Sequence, residues 1–132
     1  MTLRCVIVDD SRVVLDAARE LLESQGIAVV GVATTGDEAL SVVEDLDPDV
    51  MLVDIVLGAE SGFDLASRLA QSSAPARSRI ILISTHDEAD FEHLIGVSPA
   101  IGFLPKSDLS APAIHRLLAR APDEGDAEPR GR

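Results

Sequence analysis

Residues 4–11 read RCVIVDDS: four apolar side chains from Cys5 to Val8, then two carboxylates and a serine. A run this short, rich in β-branched residues and closed by turn formers, reads as a buried strand. Outward from it the pattern repeats. Ala28 to Ala33, Val50 to Val53, Ile80 to Ile83 and Ile101 to Leu104 are further apolar runs, with amphipathic or capped segments between them. Five strands alternating with helices imply an α/β domain built on a parallel sheet. The 132 residues are 46% hydrophobic with three aromatic side chains, all Phe, so the core is left to Val, Leu, Ile and Ala. That composition suits strands covered on both faces.

The helices follow from spacing and punctuation. In SRVVLDAARELLESQG, residues 11–26, Ser11 is the candidate N-cap, Gly26 follows the end, and Val14, Ala17, Ala18, Leu21 and Leu22 are expected to share the buried face. A second helix is expected from Gly36 to Leu46, stopped by Asp47 and Pro48, with Ala39, Leu40, Val43 and Leu46 inward. A third follows the loop LGAESG near Phe63 to Ala70. A fourth, short and acidic, is expected from Asp87 to Ile95. The last runs from Ser110 to Ala121, with Pro112 in its first turn and Ile114, Leu117 and Leu118 packing inward. Residues 1–122 are thus read as one domain, and 123–132, DEGDAEPRGR, as a disordered acidic tail that leaves no room for an output domain.

Composition excludes several functions. A formal charge of −12 argues against direct nucleic-acid binding and against an anionic membrane surface. No apolar run reaches the ~18 residues of a membrane span, and the N-terminus lacks a signal-peptide layout, so a cytoplasmic location is expected. The single cysteine, Cys5, permits no internal disulfide and reads as apolar filler.

In an open parallel sheet, sites form where the strands end. The first strand ends in Asp9 and Asp10, the third in Asp54, the fourth in Ser84 and Thr85, and the fifth runs through Phe103 and Leu104 to Lys106. Lys106 is the one lysine in a chain with ten arginines. An aspartate after a strand is often a turn former or N-cap, but three carboxylates on one rim repel one another and call for a cation. All-oxygen ligands favour a hard ion, so a Mg²⁺ site is expected at Asp9, Asp10 and Asp54, with a backbone carbonyl beyond Asp54 as a further ligand. His86, His93 and His115 lack metal-ligand spacing, and the latter two read as surface residues.

Together, VIVDDS (6–11), VMLVDIVLGAESGFDL (50–65), IILIST (80–85) and GFLPKSDL (102–109) resemble the receiver domain of two-component response regulators, and PKS at 105–107 resembles the NarL and LuxR type. Gly62 stands eight residues after Asp54, as in that family. The resemblance implies a flavodoxin-like five-stranded parallel sheet of order 2-1-3-4-5 with helices on both faces. It implies that Asp54 accepts a phosphoryl group from a sensor histidine kinase, that Asp9, Asp10, Asp54 and the Val56 carbonyl hold Mg²⁺, that Ser84 is the switch hydroxyl and Phe103 the aromatic switch, and that Lys106 pairs with the phosphoryl group. No enzymatic activity is implied beyond phosphorylation and dephosphorylation at Asp54. Kinase contact is expected at Arg12, Val13 and Val14. Output to an unidentified protein, or a homodimer, is expected through the fourth helix, fifth strand and fifth helix.

The chain departs from the family pattern at several positions. Val56 and His86, each two residues beyond a site residue, stand at positions that in the family influence how an attacking water reaches the phosphoryl group, and an apolar Val56, unable to orient that water, implies slow dephosphorylation without a phosphatase. Thr85 is bulkier than the usual Ala or Gly, Gly58 replaces a proline and implies a more mobile loop, and Ser107 stands where a cis proline is common. Two other readings remain: a receiver within a longer DNA-binding regulator, and a Mg²⁺-dependent phosphohydrolase. The latter calls for an acid two residues after the nucleophile, where Val56 stands.

Overall fold

The computed structural model describes residues 2–71, 79–85 and 88–120. The expected tail, His86 and the start of the expected fourth helix lie outside them. The main strands are β1 (Arg4–Val8), β2 (Ala28–Ala33), β3 (Val50–Asp54), β6 (Arg79–Ser84) and β7 (Gly102–Pro105). They form one parallel sheet in the order β2-β1-β3-β6-β7. That is the expected 2-1-3-4-5, because the labels β4 (Val56–Leu57) and β5 (Glu60–Ser61) belong to a separate antiparallel hairpin.

Five helices cover the sheet: α1 (Arg12–Ser24), α2 (Gly36–Leu46), α3 (Gly62–Gln71), α4 (Glu92–Val97) and α5 (Ala111–Arg120). One apolar cluster joins Cys5, Ile7, Leu52 and Ile81 to Leu15 and Leu22 of α1 and to Ile114 and Leu117 of α5. The other joins Val6, Val8, Val53 and Leu82 to Val43 of α2 and to Leu65 and Leu69 of α3. Successive residues of β1 therefore enter opposite cores, which is why its sequence shows a continuous apolar run and no alternation.

Capping fixes where the helices start. Ser11 Oγ accepts from the Val14 N–H at 3.3 Å, and Thr35 Oγ1 from the Glu38 N–H at 3.2 Å. These bonds satisfy N–H groups that a first helical turn leaves without partners. Glu38 reaches back to the Thr34 N–H at 2.7 Å, and this donor holds its carboxyl below the usual range. At the other end of α2, Asp47 takes a left-handed conformation (φ 47°) and Pro48 prevents continuation.

Two expectations need correction. The buried face of α1 is Leu15, Ala18 and Leu22, so Ala18 and Leu22 face inward as expected, whereas Ala17 is exposed and Leu21 is 38% exposed. The stripe that meets the sheet thus has i, i+3, i+7 spacing. The fourth helical segment begins as a 3-10 turn over Glu88–Phe91 and becomes α-helical only from Glu92 to Val97. In the loop after Asp54, Gly58, at φ 60°, supplies the positive-φ residue that closes the β4–β5 hairpin.

Candidate functional site

The strand register explains how the polar residues meet. Val8 lies opposite Val53, and Asp54 opposite Ile83, so Asp9 and Asp54 are the first residues past the same level of the sheet. Ser84 lies opposite Pro105, and Lys106 follows on the outermost strand. From there its side chain points back past β6, and the Asp54 and Asp9 side chains, from the ends of β3 and β1, extend to meet it. A long, flexible stem suits that span.

Lys106 Nζ is 2.7 Å from Asp9 Oδ2 and 3.1 Å from Asp54 Oδ2. The second contact is a hydrogen bond. The first, the shorter of the two, is an ion pair that seats the ammonium against the buried Asp9 Oδ2. The other oxygens are held by backbone: Ser11 N–H donates to Asp9 Oδ1 at 2.9 Å and Val56 N–H to Asp54 Oδ1 at 3.1 Å. Both aspartates and Ser84 are buried, whereas Asp10 is exposed.

Burial dominates the electrostatics of Asp54. It raises the carboxyl pKa against the lowering effects of the Val56 N–H and Lys106, and the charge on Asp9 adds to the rise. For Lys106, burial alone would lower the ammonium pKa. The Asp9 and Asp54 carboxylates outweigh it, and the net shift is upward. The site therefore holds more negative charge than one ammonium can neutralise.

Asp9, Asp10 and Asp54 can each offer an oxygen such that the three lie within 4.8 Å of one another. An all-carboxylate donor set fits a hard divalent cation. Gly58 approaches this cluster, since a Cβ there would sit 3.5 Å from Asp10 Oδ2.

Gly62 sets the floor of the site. Its N–H donates to Ile55 O at 2.7 Å, and a Cβ there would fall 2.1 Å from Asp54 O and 2.8 Å from Ile55 Cα. No side chain fits, so glycine is what lets α3 start directly against the strand end bearing Asp54.

Comparison with known families matches residues 5–117 to the response regulator receiver domain. The chain belongs to that family. It is 37% identical over 87 residues to the protein-glutamate methylesterase/protein-glutamine glutaminase 5 of Myxococcus xanthus, a match covering 65% of this chain and 24% of that protein. The signal receiver domain of a modulated diguanylate cyclase from Desulfovibrio desulfuricans G20 is 34% identical, with a TM-score of 0.74 over 92% of this chain and 94% of the other. A LuxR-family two-component response regulator from Aurantimonas sp. SI85-9A1 is 27% identical, with a TM-score of 0.77 and full coverage of both chains. The receiver spans from about a quarter to about half the length of the first curated relatives it matches.

Asp9, Asp10, Asp54 and Lys106 thus converge as the sequence predicts, and Ser84 lies on the same edge. Phe103 is buried, opposite Leu82, with the core on the α2–α3 side. The peptide before Ser107 is trans, as no described peptide bond is cis. Thr85, His93 and His115 are exposed. Among the described residues, no helix is long and apolar enough to cross a membrane. Sequence reading missed Glu60, whose carboxylate bonds the Gly36 N–H at 2.8 Å. No local pattern signals a contact between residues this far apart in the chain.

Proposed function

We propose that this receiver is a Mg²⁺-dependent phosphoacceptor with Asp54 as its nucleophile. The observation that supports the reading is the gathering of Asp54 with the Asp9 and Asp10 carboxylates on one strand edge, with the Lys106 ammonium paired to both Asp9 and Asp54. In this reaction an Asp54 carboxylate oxygen attacks the phosphorus of a phosphohistidine on a sensor kinase. A P–O bond forms, the P–N bond breaks and the kinase imidazole leaves. Positioning and charge neutralisation supply most of the catalysis in such a transfer.

Asp9, Asp10, Asp54 and the Val56 carbonyl would hold the cation. Bound there, Mg²⁺ supplies the positive charge needed for a phosphoryl dianion to enter a site that already contains carboxylates. Lys106 pairs with the phosphoryl group once Asp54 no longer offers a free carboxylate. Ser84 donates its hydroxyl to a phosphoryl oxygen, and Phe103 follows the resulting movement of β6, α4 and β7. The switch is a shift between two populations.

Val13 is 78% exposed beside Arg12 at the start of α1, which supports kinase docking there. Leu94 and Val97, 46% and 69% exposed on α4, support an output or homodimer surface with β7 and α5. The strong negative charge favours protein over nucleic-acid contacts, in the cytoplasm. The same chemistry serves the receiver by itself or within a longer DNA-binding regulator. A phosphohydrolase is disfavoured because Val56 offers no acid or base two residues beyond Asp54.

The test is intact mass after incubation with a small phosphodonor and Mg²⁺, or with a cognate kinase where Thr85 impedes small donors. Wild type gains a single phosphoryl adduct and Asp54→Ala gains none. An adduct that survives the substitution refutes the assignment.

A further inference from the structure

We propose that Glu60 is a positioning residue for the cation site, acting through the β4–β5 hairpin. The inference rests on the Mg²⁺ reading above. The hairpin consists of two residue pairs, Val56 with Ser61 and Leu57 with Glu60. A two-stranded ladder this short does not hold its own shape in water. Yet it carries Val56, whose N–H fixes Asp54 Oδ1 and whose carbonyl is the expected fourth ligand, and Gly58, which abuts Asp10. Leu57 buries one side of the hairpin in the core, and the Gly62 N–H bonds the adjoining Ile55 carbonyl; what remains is a hold on its polar side.

The Glu60 side chain provides that hold. Its Oε1 accepts from the Gly36 N–H at 2.8 Å, and its Oε2 lies 3.9 Å from Arg68 Nη1. Arg68, on α3, also donates to Asp37 Oδ1 at 2.9 Å, so one guanidinium joins the hairpin carboxylate to the first turn of α2. Gly36 is the first residue of α2, and its N–H is one that the helix itself cannot satisfy. An anionic acceptor there is further favoured by the helix dipole. The approach is close: a Cβ on Gly36 would lie 3.1 Å and 3.2 Å from the two Glu60 oxygens. Thr35 already caps a different N–H of this helix, that of Glu38, so the Glu60 contact does not duplicate the local cap.

The tether therefore selects the hairpin conformation in which Val56 faces the carboxylates. Without it, only a fraction of molecules is ready to bind the cation, and apparent affinity falls by that fraction.

Isothermal titration of wild type and variants with MgCl₂ alone, without any phosphodonor, tests this. Glu60→Ala weakens Mg²⁺ binding about fivefold, about 1 kcal/mol at tenfold per about 1.4 kcal/mol, and speeds hydrogen exchange at the Val56 amide. Gly36→Pro changes no charge, deletes the donor at a helix position where proline is tolerated, crowds the Glu60 carboxylate and Arg68 guanidinium with its ring, and weakens binding in the same way. Glu60→Gln keeps an acceptor for the Gly36 N–H and loses only charge, so it stays within about twofold of wild type. Melting curves without Mg²⁺ establish that each variant is folded.

Wild-type affinity in Gly36→Pro, or a loss in Glu60→Gln as large as in Glu60→Ala, overturns the proposal; the second result would mean that Glu60 acts by charge through space. Wild type that binds no Mg²⁺ overturns both this inference and the function it rests on. Wild type that binds Mg²⁺ but accepts no phosphoryl group overturns only the function, and Glu60 is then judged on affinity.

Discussion

Among the described residues Lys106 is the cation paired with Asp9 and Asp54, and Lys106→Met removes it while keeping most of the apolar stem. At 2.7 Å and 3.1 Å from the two carboxylates, the ammonium contributes attractions of about 6 and about 5 kcal/mol at an effective dielectric constant of about 20. Its own desolvation offsets much of this, and breaking a buried pair from one side costs about 3–5 kcal/mol. For a domain of this size that loss lowers the melting temperature by roughly 10–20 °C. The pH dependence follows from direction. Asp54 already has a raised pKa, and losing Lys106 removes one of the influences that lower it. A carboxyl whose folded pKa exceeds its unfolded value favours folding at low pH and loses that contribution as pH rises from the unfolded pKa, about 4, through the folded one. The deficit of Lys106→Met is therefore full at pH 7, shrinks towards pH 4, and shrinks at pH 7 when Mg²⁺ is added. Urea unfolding at several pH values, with and without Mg²⁺, measures it. A variant as stable as wild type at pH 7 without Mg²⁺, or a deficit that grows on acidification, refutes the reasoning.

Other substitutions probe separate parts of the account. Gly62→Ala places a methyl group 2.1 Å from the Asp54 carbonyl oxygen, so it should cost about 3 kcal/mol or more and reduce Mg²⁺ affinity; a melting temperature equal to wild type would contradict the packing described here. Leu22→Ala, at a fully buried position of α1, should cost about 2–5 kcal/mol in urea unfolding, whereas Leu21→Ala at the partly exposed neighbour should cost under about 1 kcal/mol; comparable costs at the two positions would restore the helix face read from the sequence. Val56, 48% exposed beside the site, cannot orient an attacking water, so the isolated phosphoprotein should outlast a desalting step and Val56→Asn should shorten its lifetime several-fold. Loss of the adduct within seconds in wild type would count against that role.

Much of the fold was legible because the sheet is buried on both sides. β1, β3 and β6 appear as unbroken apolar runs, and the acids that close β1 and β3 mark one edge. The site was legible for the same reason, since parallel strands bring their last residues together whatever the loops do. Where contacts were decided by geometry between distant segments, the sequence was silent. The β4–β5 hairpin has strands of two residues, too short for periodicity, so neither its pairing nor the turn at Gly58 was visible. The α1 face was only partly legible: Ala18 and Leu22 were placed inward, but Val14, Ala17 and Leu21 form a plausible neighbouring stripe, and only packing against the sheet selects Leu15 in their stead. The spacing of Gly62 from Asp54 was visible, but its reason, backbone meeting backbone, was not.

The central claim is that one carboxylate, Asp54, accepts the phosphoryl group. Its most direct test is borohydride reduction of the phosphorylated protein followed by tandem mass spectrometry, because hydride converts an acyl phosphate to the alcohol and leaves free carboxylates untouched. The account predicts homoserine at position 54 alone, formed only after phosphorylation with Mg²⁺ present. Homoserine at position 9 or 10, or a phosphoryl adduct that borohydride does not reduce, would contradict it.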